Sequence, residues 1–291
     1  MVKILITGGN GFIARNLFEQ LKDDYTIISC SSNELDLLDY LNVFEYIKKN
    51  QFDIVLHSST YDPAPKYSTK DPAKVLENNL RMFFNLARCK DFFGKMIYFG
   101  SGAEFGREKW IPRMKEEYFD KYVPSDQYGF SKYLMNKYAQ LNSNIYNLRV
   151  FSVFGKYEDW RYRFISKACC CAIMDLPIII NQNVVYDFLY IDDLARIVKW
   201  FIENKMREQA YNVCSGQALD FKTLAEKVVG ISGKKLKIII KSETTREYSG
   251  DNSRLMAELK DFKFSPIDES INSLYQWYSA NQHVIEKSEL I

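Results

Sequence analysis

The chain has 291 residues with 47% hydrophobic and 15% aromatic content, enough to bury the core of one large or two modest globular domains. Its 39 basic and 37 acidic side chains leave a net charge of +2, so no overall field holds nucleic acid or an anionic membrane. No charged n-region or apolar h-region precedes the first strand, which predicts neither a signal peptide nor a transmembrane span and makes the cytoplasm the expected location.

Residues 2–6 are an apolar run that passes directly into Thr7-Gly8-Gly9-Asn10-Gly11-Phe12-Ile13-Ala14, a strand, a glycine turn and a helix start. Gly8 and Gly11 let the backbone turn tightly and approach a ligand. The helix that opens around Phe12 and Ile13 points free N–H groups and a positive dipole end at the turn, which suits a pyrophosphate. Ala14 stands where the dinucleotide fingerprint needs a third small residue. A helix is predicted over 14–21 and a strand over 25–30. That strand leaves into Ser31 and Ser32 with no carboxylate before Glu34, which favours NADP over NAD. Arg15 is a candidate for the charge facing a 2′-phosphate, and equally a surface arginine. Asp36, Leu37 and Asp39 fall at the adenine edge or cap a helix running to about residue 49.

The apolar strand at 52–59 ends in Ser58 and Ser59, small enough for a cofactor to pass over, and His57 inside it reads as a packed, hydrogen-bonded residue. A loop with Pro63, Pro65 and Pro72 leads to a helix over 73–89, then to a strand over 95–100. Strands and helices alternate up to here, which predicts a parallel sheet with right-handed crossovers and ligands at its carboxyl ends.

Ser101 stands at the end of the last of these strands, and Tyr128-Gly129-Phe130-Ser131-Lys132 opens a helix running to about 141. Tyr128 and Lys132, four apart, share a helix face, so the ammonium is expected near the phenol, favouring its ionised form. Tyr128 could then exchange a proton with a substrate hydroxyl or carbonyl, with Ser101 bonding the same oxygen and Lys132 also reaching the nicotinamide ribose. Later elements interleave: a helix at 169–173, strands at 177–180 and 187–190, a helix at 193–202, a strand at 211–213 returning to the main sheet, a helix at 221–230, a strand at 236–240 and a closing helix at 269–278. The six cysteines, Cys30, Cys89, Cys169, Cys170, Cys171 and Cys214, show no metal-ligand spacing, and His57 and His283 lie far apart, so buried thiols and no metal site are expected.

These motifs resemble the extended short-chain dehydrogenase/reductase family, in particular its nucleotide-sugar epimerase/dehydratase group, over nearly the whole chain. The resemblance rests on the glycine turn, the Ser101/Tyr128/Lys132 set, Asp71-Pro72 before Asn79, the stretch from Leu148 to Gly155, and the stretch from Asp187 to Ala195. Tyr211 to Gly216 and the late Arg246, Tyr248 and Asp251 add to it. It implies a Rossmann-like, doubly wound α/β domain at 1–155, to which 187–215 returns, and a smaller C-terminal α/β substrate domain, mainly 156–291. It also implies Asn79 near the cofactor, a nucleoside-diphosphate sugar between the domains, and a homodimer formed through the helix of Tyr128 and the one before it, where Phe83 and Phe84 either meet the partner or pack inward.

Departures narrow the chemistry. The dehydratases of this group carry Asp-Glu after the catalytic Thr, where this chain has Gly102-Ala103. The epimerising fucose synthases carry a Cys where Ala103 stands. Ser152 replaces the usual Asn, and Tyr186 replaces an Arg that commonly binds diphosphate, so Arg161, Arg163, Arg246 or Lys241 becomes a candidate for that task. The expected function is NAD(P)H-dependent reduction of a 4-keto-6-deoxy nucleotide sugar. The alternatives are a 4-epimerase that retains NAD and a non-catalytic dinucleotide sensor.

Overall fold

The computed structural model describes residues 1–63 and 68–290, so the expected loop proline Pro65 lies outside the described residues. The first half of the chain alternates β1 (Lys3–Thr7), α1 (Phe12–Leu21), β2 (Thr26–Cys30), α2 (Tyr40–Asn50), β3 (Ile54–His57), α3 (Val75–Ala87), β4 (Lys95–Ser101), α4 (Gln127–Ala139) and β5 (Ile145–Val150). Then come β6 (Ser152–Phe154), α5 (Phe164–Ile173), β7 (Ile178–Ile180), β8 (Asn183–Tyr190), α6 (Ile191–Glu203) and β9 (Ala210–Val213). The chain closes with β10 (Ala218–Asp220), α7 (Phe221–Ser232), β11 (Ile238–Ile240), β12 (Glu243–Tyr248), α8 (Ser253–Glu258) and α9 (Ile267–Ala280).

The main sheet is parallel in the order β2-β1-β3-β4-β5-β9, the doubly wound Rossmann-like arrangement. Its strands are covered on both faces, which is why β1 and β3 read as apolar runs rather than alternating ones. Ile4, Ile6, Leu56 and Leu148 meet α1 and α6 on one side, whereas Leu5, Val55, Met96 and Tyr98 meet α2, α3 and α4 on the other. Each such fully buried aliphatic side chain is worth about 1.5–3 kcal/mol. The starts of α2 and α4 carry side-chain caps: Asp39 accepts from the Asn42 amide at 3.1 Å, and Asp126 from the Gly129 amide at 2.9 Å. Successive crossovers leave β1 and β3 in opposite directions, which opens a crevice outside their carboxyl ends.

A second, mixed sheet is built on β8, with β6 and β12 parallel to it and β10 antiparallel. The helices α5, α7 and α9 enclose a separate core with Trp160, Leu224, Leu274 and all three of Cys169, Cys170 and Cys171. All six cysteines are buried, as expected. Among the described residues, no helix is long and apolar enough to cross a membrane.

Two expectations need correction. The first helix begins at Phe12, not residue 14, because Gly11 is its N-cap. The return to the main sheet expected at 187–215 begins only at α6, since β8 itself pairs with β6, β10 and β12. The strand β12 (Glu-Thr-Thr-Arg-Glu-Tyr) went unseen because, as a mostly exposed strand, it carries no apolar alternation.

Candidate active site

The glycine turn after β1 is closed by the Gly11 amide donating to the Gly8 carbonyl at 2.7 Å. Gly8 has φ +73° and lies against Ser59, whose Oγ is 3.0 Å from where a Cβ would stand, so this position excludes a side chain twice over. No side chain caps α1, and its first N–H groups are therefore available to an anion. These features fit a dinucleotide pyrophosphate. Phe12, Ile13 and Ser58 line the adjoining cavity, with the Ser58 hydroxyl donating to the Thr7 carbonyl at 2.6 Å.

At the end of β2, the Ser31 amide and hydroxyl donate to Glu34 at 2.7 and 2.8 Å, and these bonds hold the Glu34 carboxyl below its ordinary range. That turn sets the direction in which the exposed Ser32 and Asp36 leave the strand. Leu37 is redirected from the cofactor to the core, while Asp39 and Arg15 take the second of their two expected roles, helix cap and surface arginine. Arg15 lies flat on the Tyr157 ring, 3.6 Å from its centroid, in a contact shared with Glu19 rather than with the β2 end. Asn79 is buried and engaged on both sides of its amide, accepting from the Tyr61 amide at 2.8 Å and donating to the Tyr61 and Val75 carbonyls. It shapes the loop beyond β3 instead of presenting a free group.

A cavity of about 810 Å³ lies between the carboxyl ends of the main sheet and the second sheet. Ser101, Tyr128 and Lys132 all line it. Ser101 ends β4, its Oγ accepting from the Ala103 amide at 3.2 Å, while Tyr128 and Lys132 occupy the first turns of α4. The Lys132 ammonium donates to the Phe99 carbonyl at 2.9 Å and sits 5.7 Å from the Tyr128 ring centroid. Burial pulls the Lys132 ammonium down to about 8, against the opposing pull of Glu104. Burial also raises the Tyr128 phenol, with the Ser101 hydrogen bond and the charges of Arg163 and Arg107 opposing. The phenol therefore lies above its ordinary range and not below it, because desolvation, with the charge of Asp62, outweighs the nearby positive charges. Behind the site, Glu104 and Arg149 form a buried pair at 2.7 Å with no exposed side-chain surface. His57 is buried, bonded to Thr7 Oγ1 at 2.9 Å and pushed by burial down to about 3, so it is a neutral packing residue as expected.

Of the substrate candidates, Ser152, Arg163 and Tyr186 line the cavity. Gly102 lies under it, against Tyr248. Arg161 lies over Trp160, with its guanidinium 3.5 Å from Glu286. Arg246 is exposed and stacks on Trp110 at 4.9 Å from the ring, and Lys241 is exposed beyond the end of β11. Several lining residues were not foreseen: Arg107, Trp110, Glu158, Tyr162, Phe164, Phe221 and, as a site residue, Tyr248. Two of these carried a sequence signal: Arg107, a cation six residues past Ser101, and Tyr248, which belongs to the late Arg246/Tyr248/Asp251 motif without pointing to a role. Glu158 is buried, accepts from Ser166 Oγ at 2.6 Å and is raised by burial to about 7.

The family model for the NAD dependent epimerase/dehydratase family matches residues 4–214. The chain belongs to this family. The match starts in β1, passes through Ser101, Tyr128 and Lys132 and ends just beyond β9, so it spans the main sheet and the cavity wall described above. A curated family relative, the ADP-L-glycero-D-manno-heptose-6-epimerase of Brachyspira hyodysenteriae, is 25% identical over 260 residues, covering 77% of this chain and 79% of that protein. Among solved structures, the GDP-L-fucose synthetase of Naegleria fowleri bound to NADP superimposes with a TM-score of 0.86 at 17% identity, over 98% of this chain and 95% of that one. The GDP-mannoheptose C4 reductase of Campylobacter jejuni with NADP bound gives 0.82 at 19% identity, over 95% of this chain and 98% of that one. These likenesses to solved structures confirm the fold.

Proposed function

We propose that the protein is an NAD(P)H-dependent reductase of a nucleotide-activated 4-keto-6-deoxy sugar. The observation that carries this reading is the composition of the wall around Ser101. Tyr128 is the acid/base group beside that hydroxyl, and Gly102 and Ala103 stand where an eliminating enzyme needs an acid and a base. Burial keeps the Tyr128 phenol protonated at neutral pH, which is the form that gives a proton to a developing alkoxide.

In this reading Gly8, Gly11 and the uncapped start of α1 hold the dinucleotide pyrophosphate, and Lys132 and Tyr128 face its nicotinamide ribose. The cofactor, when bound, supplies the hydride that reduces the ketone. Ser101 and Tyr128 hold the carbonyl oxygen, Tyr128 delivers the proton, and the Lys132 ammonium favours the phenolate left behind. Arg163, Arg107 and Ser152 line the same cavity and are the groups proposed to hold the diphosphate. NADP is favoured by the absence of an acidic side chain directly at the end of β2 and by the NADP in the solved relatives. The helices α3 and α4 are the proposed dimer face, although Phe83 packs inward on Tyr98 and His57.

Oxidation of NADPH by the purified protein with 4-keto-6-deoxy nucleotide sugars tests the reading. Turnover with stoichiometric loss of NADPH supports it. The epimerase relative favours a second reading, in which NAD survives purification and turnover consumes none of it. Finding that behaviour would replace the first.

A further inference from the structure

Tyr248, the last residue of β12, is only 5% exposed, yet its side chain lines the cavity with its hydroxyl 3.5 Å from Ser101 Oγ. Its ring is fixed on three sides: stacked on Trp110 with 4.0 Å between centroids, 5.1 Å from Phe151 and 5.2 Å from Tyr186. It also lies directly over Gly102. A Cβ at position 102 would stand 2.6 and 2.7 Å from the Tyr248 ring edge and hydroxyl and 2.9 Å from Phe151. The missing side chain at 102 is therefore the space that Tyr248 occupies.

A serine hydroxyl has one proton to donate and two lone pairs to accept with. The Ala103 amide already fills one lone pair of Ser101 at 3.2 Å. A Tyr248 hydroxyl donating to the other leaves the single Ser101 proton for the cavity side, where the Tyr128 phenol and the reacting oxygen stand. Burial holds the Tyr248 phenol in its protonated form, which is the form able to donate. We propose that Tyr248 is a positioning residue that converts Ser101 into an obligate hydrogen-bond donor to the reacting oxygen of the sugar. This inference rests on the reductase reading for the identity of that oxygen, and it applies equally to a sugar hydroxyl in the alternative reading.

The test uses the full-length protein, NADPH and a 4-keto-6-deoxy nucleotide sugar. Tyr248→Phe keeps the ring and its packing, so kcat is expected to fall roughly tenfold with KM within about twofold and the melting temperature unchanged. Ser101→Ala is expected to lose roughly 10²–10³-fold in kcat, as for the loss of an oxyanion donor. The double variant Ser101→Ala/Tyr248→Phe falls no further than Ser101→Ala alone, because Tyr248 acts through Ser101. Gly102→Ala, which pushes the phenol off its seat, reproduces the Tyr248→Phe loss. Wild-type kcat in Tyr248→Phe, or losses that multiply in the double variant, overturns the proposal. If the wild type reduces no sugar nucleotide, the reductase reading fails by itself, and calorimetric titration with the corresponding 4-hydroxy nucleotide sugar decides this inference. Binding several-fold weaker in Tyr248→Phe than in wild type supports it; equal binding, or none by the wild type, overturns it.

Discussion

The cavity wall that comes from the main sheet is made of turning backbone, small residues and a few reactive side chains, whereas the facing wall from β8, β12 and α7 is aromatic, with Tyr186, Phe188, Phe221 and Tyr248. The first wall carries the groups to which the proposed reaction assigns an anion cradle, a proton donor and a charge: the uncapped start of α1, Tyr128 and Lys132. The second presents ring faces, and its chemistry is that of shape and of aromatic faces against an apolar edge. The two walls meet where the Tyr248 hydroxyl reaches Ser101.

Breaking the first wall has the largest effect. Tyr128→Phe removes the proton donor while leaving the glycine turn intact, so kcat is expected to fall by up to about 10⁴-fold, about 5 kcal/mol of transition-state stabilisation, with dinucleotide affinity retained. Steady-state rates beside a fluorescence titration with NADPH check both halves. A comparable loss of NADPH affinity would mean that Tyr128 chiefly shapes the cofactor site.

Next in size is the buried pair beneath that wall. Glu104→Gln leaves the Arg149 guanidinium charged and fully buried, where its Nη2 already lacks a hydrogen-bond partner among the described residues. A loss of about 3 kcal/mol or more is expected in denaturant unfolding, and Glu104→Leu/Arg149→Met, which removes both charges, restores part of it. No loss in Glu104→Gln would show that water or rearrangement reaches Arg149.

Glu158 sharpens the comparison at the border between the walls. Its carboxyl is raised from the model-compound 4.5 to about 7, first by burial. Between those values the native state holds a proton that the unfolded chain has released. Its contribution therefore stabilises the fold as pH falls from about 7 towards 4.5, by at most about 3 kcal/mol. Denaturation midpoints of wild type and Glu158→Gln across this range isolate it: the variant loses this component of the pH dependence. Parallel curves would remove Glu158 from the account.

How much was legible before the fold was known divides along the same line. The glycine turn, Ser101, Tyr128 and Lys132 follow from local rules, a φ above zero at Gly8, a strand end and a four-residue helix spacing, and the structure brings the last three to one cavity that Phe12 and Ile13, just past the turn, also line. Their electrostatics were misread, because spacing gives the proximity of Lys132 but not the burial that raises Tyr128. The second wall was largely illegible. Tyr248 ends an exposed strand with no apolar period, and it meets Ser101 across 147 positions of sequence, a contact set by how β12 pairs with β8. Asn79 is engaged for a related reason: an amide near a ligand motif is available to that ligand only if the fold leaves it so, and Tyr61 takes both sides of this one.

The smallest expected effect separates two arginines that the sequence could not. Arg161 and Arg163 flank Tyr162, but only Arg163 lines the cavity, where its charge acts on both Tyr128 and Glu158. Arg161 lies over Trp160 at 4.5 Å from the ring and pairs with Glu286 at 3.5 Å. A phosphate held by one partly hydrated guanidinium gains about 1–2 kcal/mol, so Arg163→Ala is expected to raise KM for the nucleotide sugar roughly tenfold with little change in kcat. Arg161→Ala moves KM less than about twofold, since an exposed pair at that distance contributes little. Raising the salt concentration weakens binding by wild type more than by Arg163→Ala, because the variant has already lost the screened charge. Equal effects of the two substitutions would place the diphosphate elsewhere, with Arg107 the next side chain to remove.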